Sequence, residues 1–355
     1  TPVVWGDRVL ITQAADKSTR RTVMCFRRSD GKLLWQKGVE YKEKEPTHGT
    51  NPYCSASPVT DGERVIASFG SAGMVCYDLN GKELWRKDLG KMIHIWGNAS
   101  SPVLYGDLCI LWAGPGKQQR LVAVEKATGK TVWEHGEPGG KSDGSRPWVG
   151  SWSTPIIVRV GDHDELILGM PEKLKGFDPK TGKELWSCDG LHNGSGDQLV
   201  YTSPVYADGI VVAMGGFGGA AMAVKAGGKG DVTKTHRLWY RPQNPQRIGS
   251  PVIVGEHACI LNDDGTAQCI EVKTGKDLWN KQRVGGSTWA SMVAAAGRLY
   301  VTNRAGDTLV FAARPKFEQL AKNSLGEPVL ASLAISDGDL FIRSHKHLWC
   351  ISEKK

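Results

Sequence analysis

The chain has 355 residues and a formal net charge of +8, with Lys and Arg spread along its whole length. No basic stripe interleaved with aromatics is present, which argues against nucleic-acid binding and for a charged, solvated rim. No apolar run reaches the ~18 residues of a membrane helix, while 44 glycines and 13 tryptophans point to many tight turns and a recurrent aromatic.

Taken in order, the chain repeats an opening of Ser or Thr, Pro and a hydrophobic residue. It occurs at Thr1-Pro2-Val3, Ser57-Pro58-Val59, Ser101-Pro102-Val103, Thr154-Pro155-Ile156, Ser203-Pro204-Val205 and Ser250-Pro251-Val252. Weaker copies follow at Ser291-Met292-Val293 and Ser332-Leu333-Ala334. Pro suits the first residue of a strand, where no ladder donor is lost. Each opening leads into a Gly/Asp turn and a short apolar run, as at Gly6-Asp7, Asp61-Gly62, Gly106-Asp107, Asp208-Gly209 and Asp337-Gly338. Strand, turn and β-branched run make a hairpin signature.

A second frame closes most of these units. A small residue, a turn glycine and a tryptophan recur at Cys25, Gly31 and Trp35, at Cys76, Gly81 and Trp85, and at Ala123, Gly129 and Trp133. They recur at Gly176, Gly182 and Trp186, and at Cys269, Gly275 and Trp279. The frame reads as strand, tight turn, strand, and a period of roughly 40–50 residues marks a propeller blade. The prediction is an all-β, eight-bladed β-propeller of four-stranded antiparallel blades, with residues 1–355 as a single domain. Trp35, Trp85, Trp133, Trp186, Trp239 and Trp279 are expected to be structural, packed between neighbouring blades near the small-residue slot. Three places are irregular: a Gly-rich insertion at Gly227–Gly230, a seventh unit from Phe311 to Leu320 without the Gly and Trp, and an eighth without an outer strand. That outer strand is expected to come from residues upstream of Thr1.

Cys25, Cys76, Cys269 and Cys350 fill the small-residue slot and read as small buried hydrophobes. Cys259 and Cys269 lie on adjacent strands of one hairpin, where a bridge is the alternative to two buried thiols.

Chain direction puts the inter-blade segments together on one face, the mouth of the central channel, with the Thr-Gly-Lys turns opposite. These segments hold His48, Asn51, Tyr53, His94, Trp96, Asn98, Arg146, Trp148, Trp152, His192, Gln198, Tyr201, Arg247 and Trp289. Aromatics beside a few His, Arg and amide groups suit a polar-aromatic pocket for a sugar or a planar ligand. The alternative is that the loops plug the channel. His48, His94 and His192 are weak candidates for a metal, and the remaining histidines read as structural. Ser195 beside His192 and Asp197 has the composition of a triad, but residues so close in one loop rarely reach that geometry. Asp143, Asp189 and Asp197 are too few to name an acid/base pair.

The Thr-Gly-Lys…Trp frame resembles the repeat of the PQQ-like β-propeller family, including its branch of barrel-assembly lipoproteins and uncharacterised secreted propellers. The resemblance implies a periplasmic or extracellular protein that binds a protein partner, small molecule or glycan at the mouth. The quinoprotein alcohol dehydrogenases of this fold are the alternative, which would imply PQQ with calcium. They carry an adjacent cysteine pair and a haem Cys-x-x-Cys-His in some members, and this sequence has neither. A carbohydrate-active propeller is a further alternative.

Overall fold

The structure is a computed structural model and describes residues 1–140, 145–192, 196–217, 219–243, 247–279 and 281–353. Contacts group the chain into two compact units, Thr1–Pro155 with Pro179–Lys183, and Ile156–Asp178 with Glu184–Lys355.

The first unit holds three four-stranded antiparallel meanders. The first runs Val3–Trp5, Arg8–Ala15, Arg20–Arg27 and Leu33–Glu40. Next come Val59–Thr60, Arg64–Ser68, Met74–Asp78 and Glu83–Lys87, then Val103–Tyr105, Leu108–Ala113, Gln118–Glu125 and Thr131–Pro138. The second unit continues the series with five sheets. Its last sheet has three strands among the described residues, Ala334–Ser336, Asp339–Arg343 and Leu348–Ile351.

The second strands read as unbroken apolar runs because both faces of each sheet are covered. In Arg64–Ser68, Val65 and Ala67 pack toward the first sheet with Leu10, Val23 and Cys25. Ile66 points the other way, toward Cys109, Leu111 and Val122 of the third. The core is thus a row of layers between sheets. The same pattern recurs in the second unit, where Ile167, Leu174 and Trp186 meet Val211, Ala213 and Met222.

Two sets of polar contacts join consecutive sheets. The first explains the Ser/Thr of the opening motif. The Ser57 backbone N–H donates to Ser101 Oγ at 2.9 Å, and the Ser101 N–H to Thr154 Oγ1 at 3.0 Å. In the second unit Ser203 donates to Ser250, Ser250 to Ser291 and Ser291 to Ser332 in the same way. The second set is made by the tryptophans. Trp35 donates its indole N–H to Leu79 O, Trp85 to Lys126 O and Trp239 to Val272 O, at 3.0, 3.0 and 2.7 Å. Each ring lies over the turn glycine of the following sheet. Gly129 has φ +74, and a Cβ there would come within 2.7 Å of the Trp85 ring. The small-residue slot faces the tryptophan of its own sheet in register, as in Cys25↔Trp35 and Cys76↔Trp85, and a β-bulge follows at once.

Trp186 departs from this pattern. The fifth sheet has no Thr-Gly-Lys turn to receive it. It is fully buried over Gly176 of its own sheet and donates to Glu165 Oε2 at 2.8 Å. The Gly-rich insertion adds Gly230–Asp231 as a parallel fifth strand beside Trp186 and Ser187. Trp279, by contrast, finds Arg314 O at 3.1 Å although the seventh sheet lacks the frame. Cys350 is a second departure: it is exposed, because it lies on the outermost described strand of the last sheet, with no tryptophan strand to cover it. Cys259 and Cys269 face each other in register and form a disulfide.

We expect Gly129→Ala, which meets both the backbone strain and the ring, to lower the urea midpoint by clearly more than Gly106→Ala. Gly106 has φ +54 but open space around it, so only the backbone cost of about 1 kcal/mol applies there. Equal midpoints would show that the ring contact adds nothing. Trp85→Ala is expected to cost about 3–5 kcal/mol.

His163 gives a pH test in the second unit. Hydrogen bonds to Glu165 and then Asp162 raise its pKa above the ordinary 6.5. Its contribution is complete below that ordinary value and is lost as pH rises through the raised one. An NMR titration should place His163 above an exposed histidine, and Glu165→Gln should bring it down; an unmoved pKa would remove Glu165 as the cause.

Candidate binding site

In the first unit the inter-sheet segments form a connected aromatic cluster. Trp96 lies 4.8 Å from Trp148 and 5.8 Å from Trp152, centroid to centroid. The His94 ring meets Trp152 edge-on at 4.9 Å. Arg146 stacks on Trp148, with Cζ 4.3 Å from the ring centroid, within cation–π range. Trp152 is buried and donates to Gly97 O at 2.8 Å, whereas Trp96 and Trp148 keep part of their surface open.

Amide side chains fasten these segments. Asn51 Nδ2 donates to Trp96 O at 2.8 Å and Asn98 O at 3.1 Å, and its Oδ1 accepts from Ser55. Asn98 Nδ2 in turn donates to Gly114 O and Pro115 O. Asn51 and Asn98 therefore act as structural pins.

His94 is buried, and that burial pushes its pKa down to about 4. Its imidazole is neutral at pH 7. His48 is exposed and shares a hydrogen bond with Thr50 Oγ1 at 2.7 Å. Neither His48 nor His94 belongs to a group of three potential metal ligands among the described residues.

In the second unit the predicted residues divide into separate contacts. Gln198 donates to Glu172 at 2.8 Å. His192 Nε2 is buried without a hydrogen-bond partner among the described residues. Burial raises the Tyr201 hydroxyl pKa. Arg247 is 1% exposed, donates to Gln268 Oε1 at 2.8 Å, and is lowered to about 10, by burial first and then by Arg241. Trp289 donates to Asp263 Oδ1 at 2.9 Å, with Arg304 over its ring. Asp189 pairs with Lys173. Ser195 and Asp143 lie outside the described residues.

Reasoning from the inter-sheet segments misses Arg21. It stands on the strand Arg20–Arg27, buried in phase with Val23 and Cys25. A charged residue in the core phase of an alternating strand is a signal that the sequence does carry. Arg21 Nη1 donates to Phe69 O at 2.7 Å, and Cζ lies 4.5 and 4.4 Å from the rings of Tyr41 and Tyr53.

With this geometry in hand, comparison with known proteins is informative. A computationally designed protein, Ika8, superposes with TM-score 0.66 at 14% identity, covering 99% of this chain and 95% of that one. BamB from Moraxella catarrhalis gives 0.68 at 14%, covering 97% and 90%. The quinohemoprotein alcohol dehydrogenase from Comamonas testosteroni gives 0.67 at 12%, covering 96% and 69%. No curated protein sequence matches. The sheets and these likenesses define the class: an all-β, eight-bladed propeller of antiparallel, mostly four-stranded blades. A family profile described as "Outer membrane protein assembly factor BamB" matches residues 19–281. The chain belongs to that PQQ-like repeat family.

The dehydrogenase likeness raises the question of a quinone with calcium. The open surfaces of Trp96 and Trp148 beside Arg146 suit a planar anion. Calcium requires six to eight oxygen ligands, and the cluster presents indole, imidazole and guanidinium groups, with Asn51 Oδ1 already taken by Ser55. The residues of this cluster fit stacking and do not fit calcium.

Because His94 is held neutral, the unfolded chain takes up its proton near pH 6.5 while the folded chain does not until about 4. The stability is complete above 6.5 and is lost as pH falls through that window. Denaturation at pH 7 and pH 4.5 should show wild type losing about 2–3 kcal/mol more than His94→Gln; equal losses would show that His94 titrates normally.

Proposed function

We propose that this propeller is a binding or scaffold protein whose recognition surface is the polar-aromatic cluster of its inter-blade segments. The observation that carries the reading is the group Trp96, Trp148 and Arg146, with partly open rings held on the buried Trp152 and His94. Aromatic area with one stacked cation is the chemistry of sugar, planar-ligand and protein recognition.

The family's description as an assembly factor of the outer membrane favours a protein partner and a periplasmic or extracellular location. No helix among the described residues is long and apolar enough to cross a membrane. Quinone-dependent alcohol oxidation is the second reading, favoured by the dehydrogenase fold and by the stacking surface.

Tryptophan fluorescence separates the two. The protein is titrated with oligosaccharides and with PQQ, with and without calcium. Trp148→Ala should abolish any saturable quenching, while Trp5→Ala, which alters an exposed tryptophan on the first inner strand, should leave it intact. Calcium-dependent quenching by PQQ together with alcohol-dependent dye reduction would replace the binding reading by the dehydrogenase. Quenching that survives Trp148→Ala would place recognition elsewhere.

A further inference from the structure

In the second unit two turns bring opposite charges to one indole. The turns 262–266 and 303–307 occupy equivalent places in consecutive sheets. A buried asparagine pins each: Asn262 Nδ2 donates to Thr266 O at 3.0 Å, and Asn303 Oδ1 accepts from the Ala305 and Asp307 N–H groups. The next residue of each turn carries a charge, the half-buried Asp263 and the exposed Arg304. Trp289 touches both. Its indole N–H donates to Asp263 Oδ1 at 2.9 Å, and Arg304 Cζ lies 5.1 Å from its ring centroid, within cation–π range.

The three side chains are fixed in place. Ser287 Oγ donates to the same Asp263 Oδ1 at 2.9 Å, and the Arg304 backbone N–H donates to Ser287 O at 2.8 Å. Gly286 packs on the second asparagine so closely that a Cβ would come within 2.4 Å of Asn303 Nδ2. A geometry set before a ligand arrives lowers the ordering cost of binding.

The charges themselves are still available. Both bonds to Asp263 fall on Oδ1; Oδ2 accepts none among the described residues and is not sealed from solvent. The Arg304 guanidinium donates no hydrogen bond and forms no ion pair among the described residues, Asp263 included. A guanidinium held over an indole keeps its N–H groups for a carboxylate. Beside Asp263 the exposed Asp264 accepts from the Thr266 N–H and hydroxyl and adds a second negative charge. That side of the site therefore favours a cationic group.

We infer that Asp263, Trp289 and Arg304 form a binding site for a small zwitterion of the amino-acid type. Its carboxylate meets the Arg304 N–H groups and its ammonium meets Asp263 Oδ2. The aspartates repel a plain anion and the guanidinium repels a plain amine, so the site selects a ligand that carries both charges. The inference goes beyond the aromatic surface formed by Trp96, Trp148 and Arg146 and does not rest on it.

The test uses the whole chain labelled with ¹⁵N at tryptophan and follows the indole N–H of Trp289, whose acceptor is Asp263. Trp289→Phe identifies the resonance. Glycine, β-alanine and γ-aminobutyrate are titrated at constant ionic strength, with sodium acetate and methylammonium chloride as the two halves of the ligand. At least one zwitterion should move the resonance saturably, with a midpoint about fivefold below both halves, as one exposed ion pair contributes. Asp263→Asn, which keeps an oxygen for the indole, and Arg304→Gln should each raise that midpoint about fivefold. Unmoved resonances of the other tryptophans show that each variant is folded. No saturable movement, equal midpoints for zwitterions and halves, or a wild-type midpoint in Asp263→Asn would each overturn the inference. The Trp96 and Trp148 resonances in the same spectra report on the aromatic cluster separately.

Discussion

The hydroxyl-to-backbone bond between successive inner strands is the contact on which the rest is built. In each unit the opening serine of one sheet gives its N–H to the opening Ser or Thr hydroxyl of the next. The bond fixes the distance between sheets at their inner ends, where strands are only two to five residues long and have little ladder of their own. Where Pro follows, as at Pro58, Pro102, Pro204 and Pro251, it has no N–H, so no donor is stranded at that crowded point. At the outer end the indole and the turn glycine perform the corresponding task. Between these two fixed ends, apolar side chains from both sheets fill the layer, which is why the second strands carry no polar alternation.

Much of this was legible in the sequence because the repeat writes it several times. Number of sheets, strand order and the places of irregularity follow from the opening motif and the Gly…Trp frame. What did not follow was the partner of each motif. The frame of the fourth blade reads like the others, yet Trp186 turns onto Glu165, where the sheet after it carries the Gly-rich insertion in place of a Thr-Gly-Lys turn. A motif that docks on a neighbour has to be read together with that neighbour. Cys350 is the same lesson at the end of the series: its slot is the usual one, but the strand that buries the slot is not there among the described residues.

The candidate site was legible to a smaller degree. Residue types in the inter-blade segments gave the aromatic members, and the structure joins His94, Trp96, Arg146, Trp148 and Trp152 into one cluster. The roles of Asn51 and Asn98 were not readable, since an amide that pins a loop and one that meets a ligand look alike in sequence. Arg21 escapes a reading of the inter-blade segments because it lies on a strand, where charge reads as solvated rim. Electrostatics divides the first unit accordingly: a neutral buried histidine against Trp96 and Trp152, and a buried arginine against the rings of Tyr41 and Tyr53.

The parallel strand Gly230–Asp231 has a consequence for partners. A sheet's outer strand normally leaves a row of backbone donors and acceptors that a foreign segment can extend by β-augmentation. In the fourth sheet that row is already met at Trp186 and Ser187 by the chain's own insertion. The inserted glycines thus act as an internal competitor: a visiting peptide would have to displace them or add to a different blade.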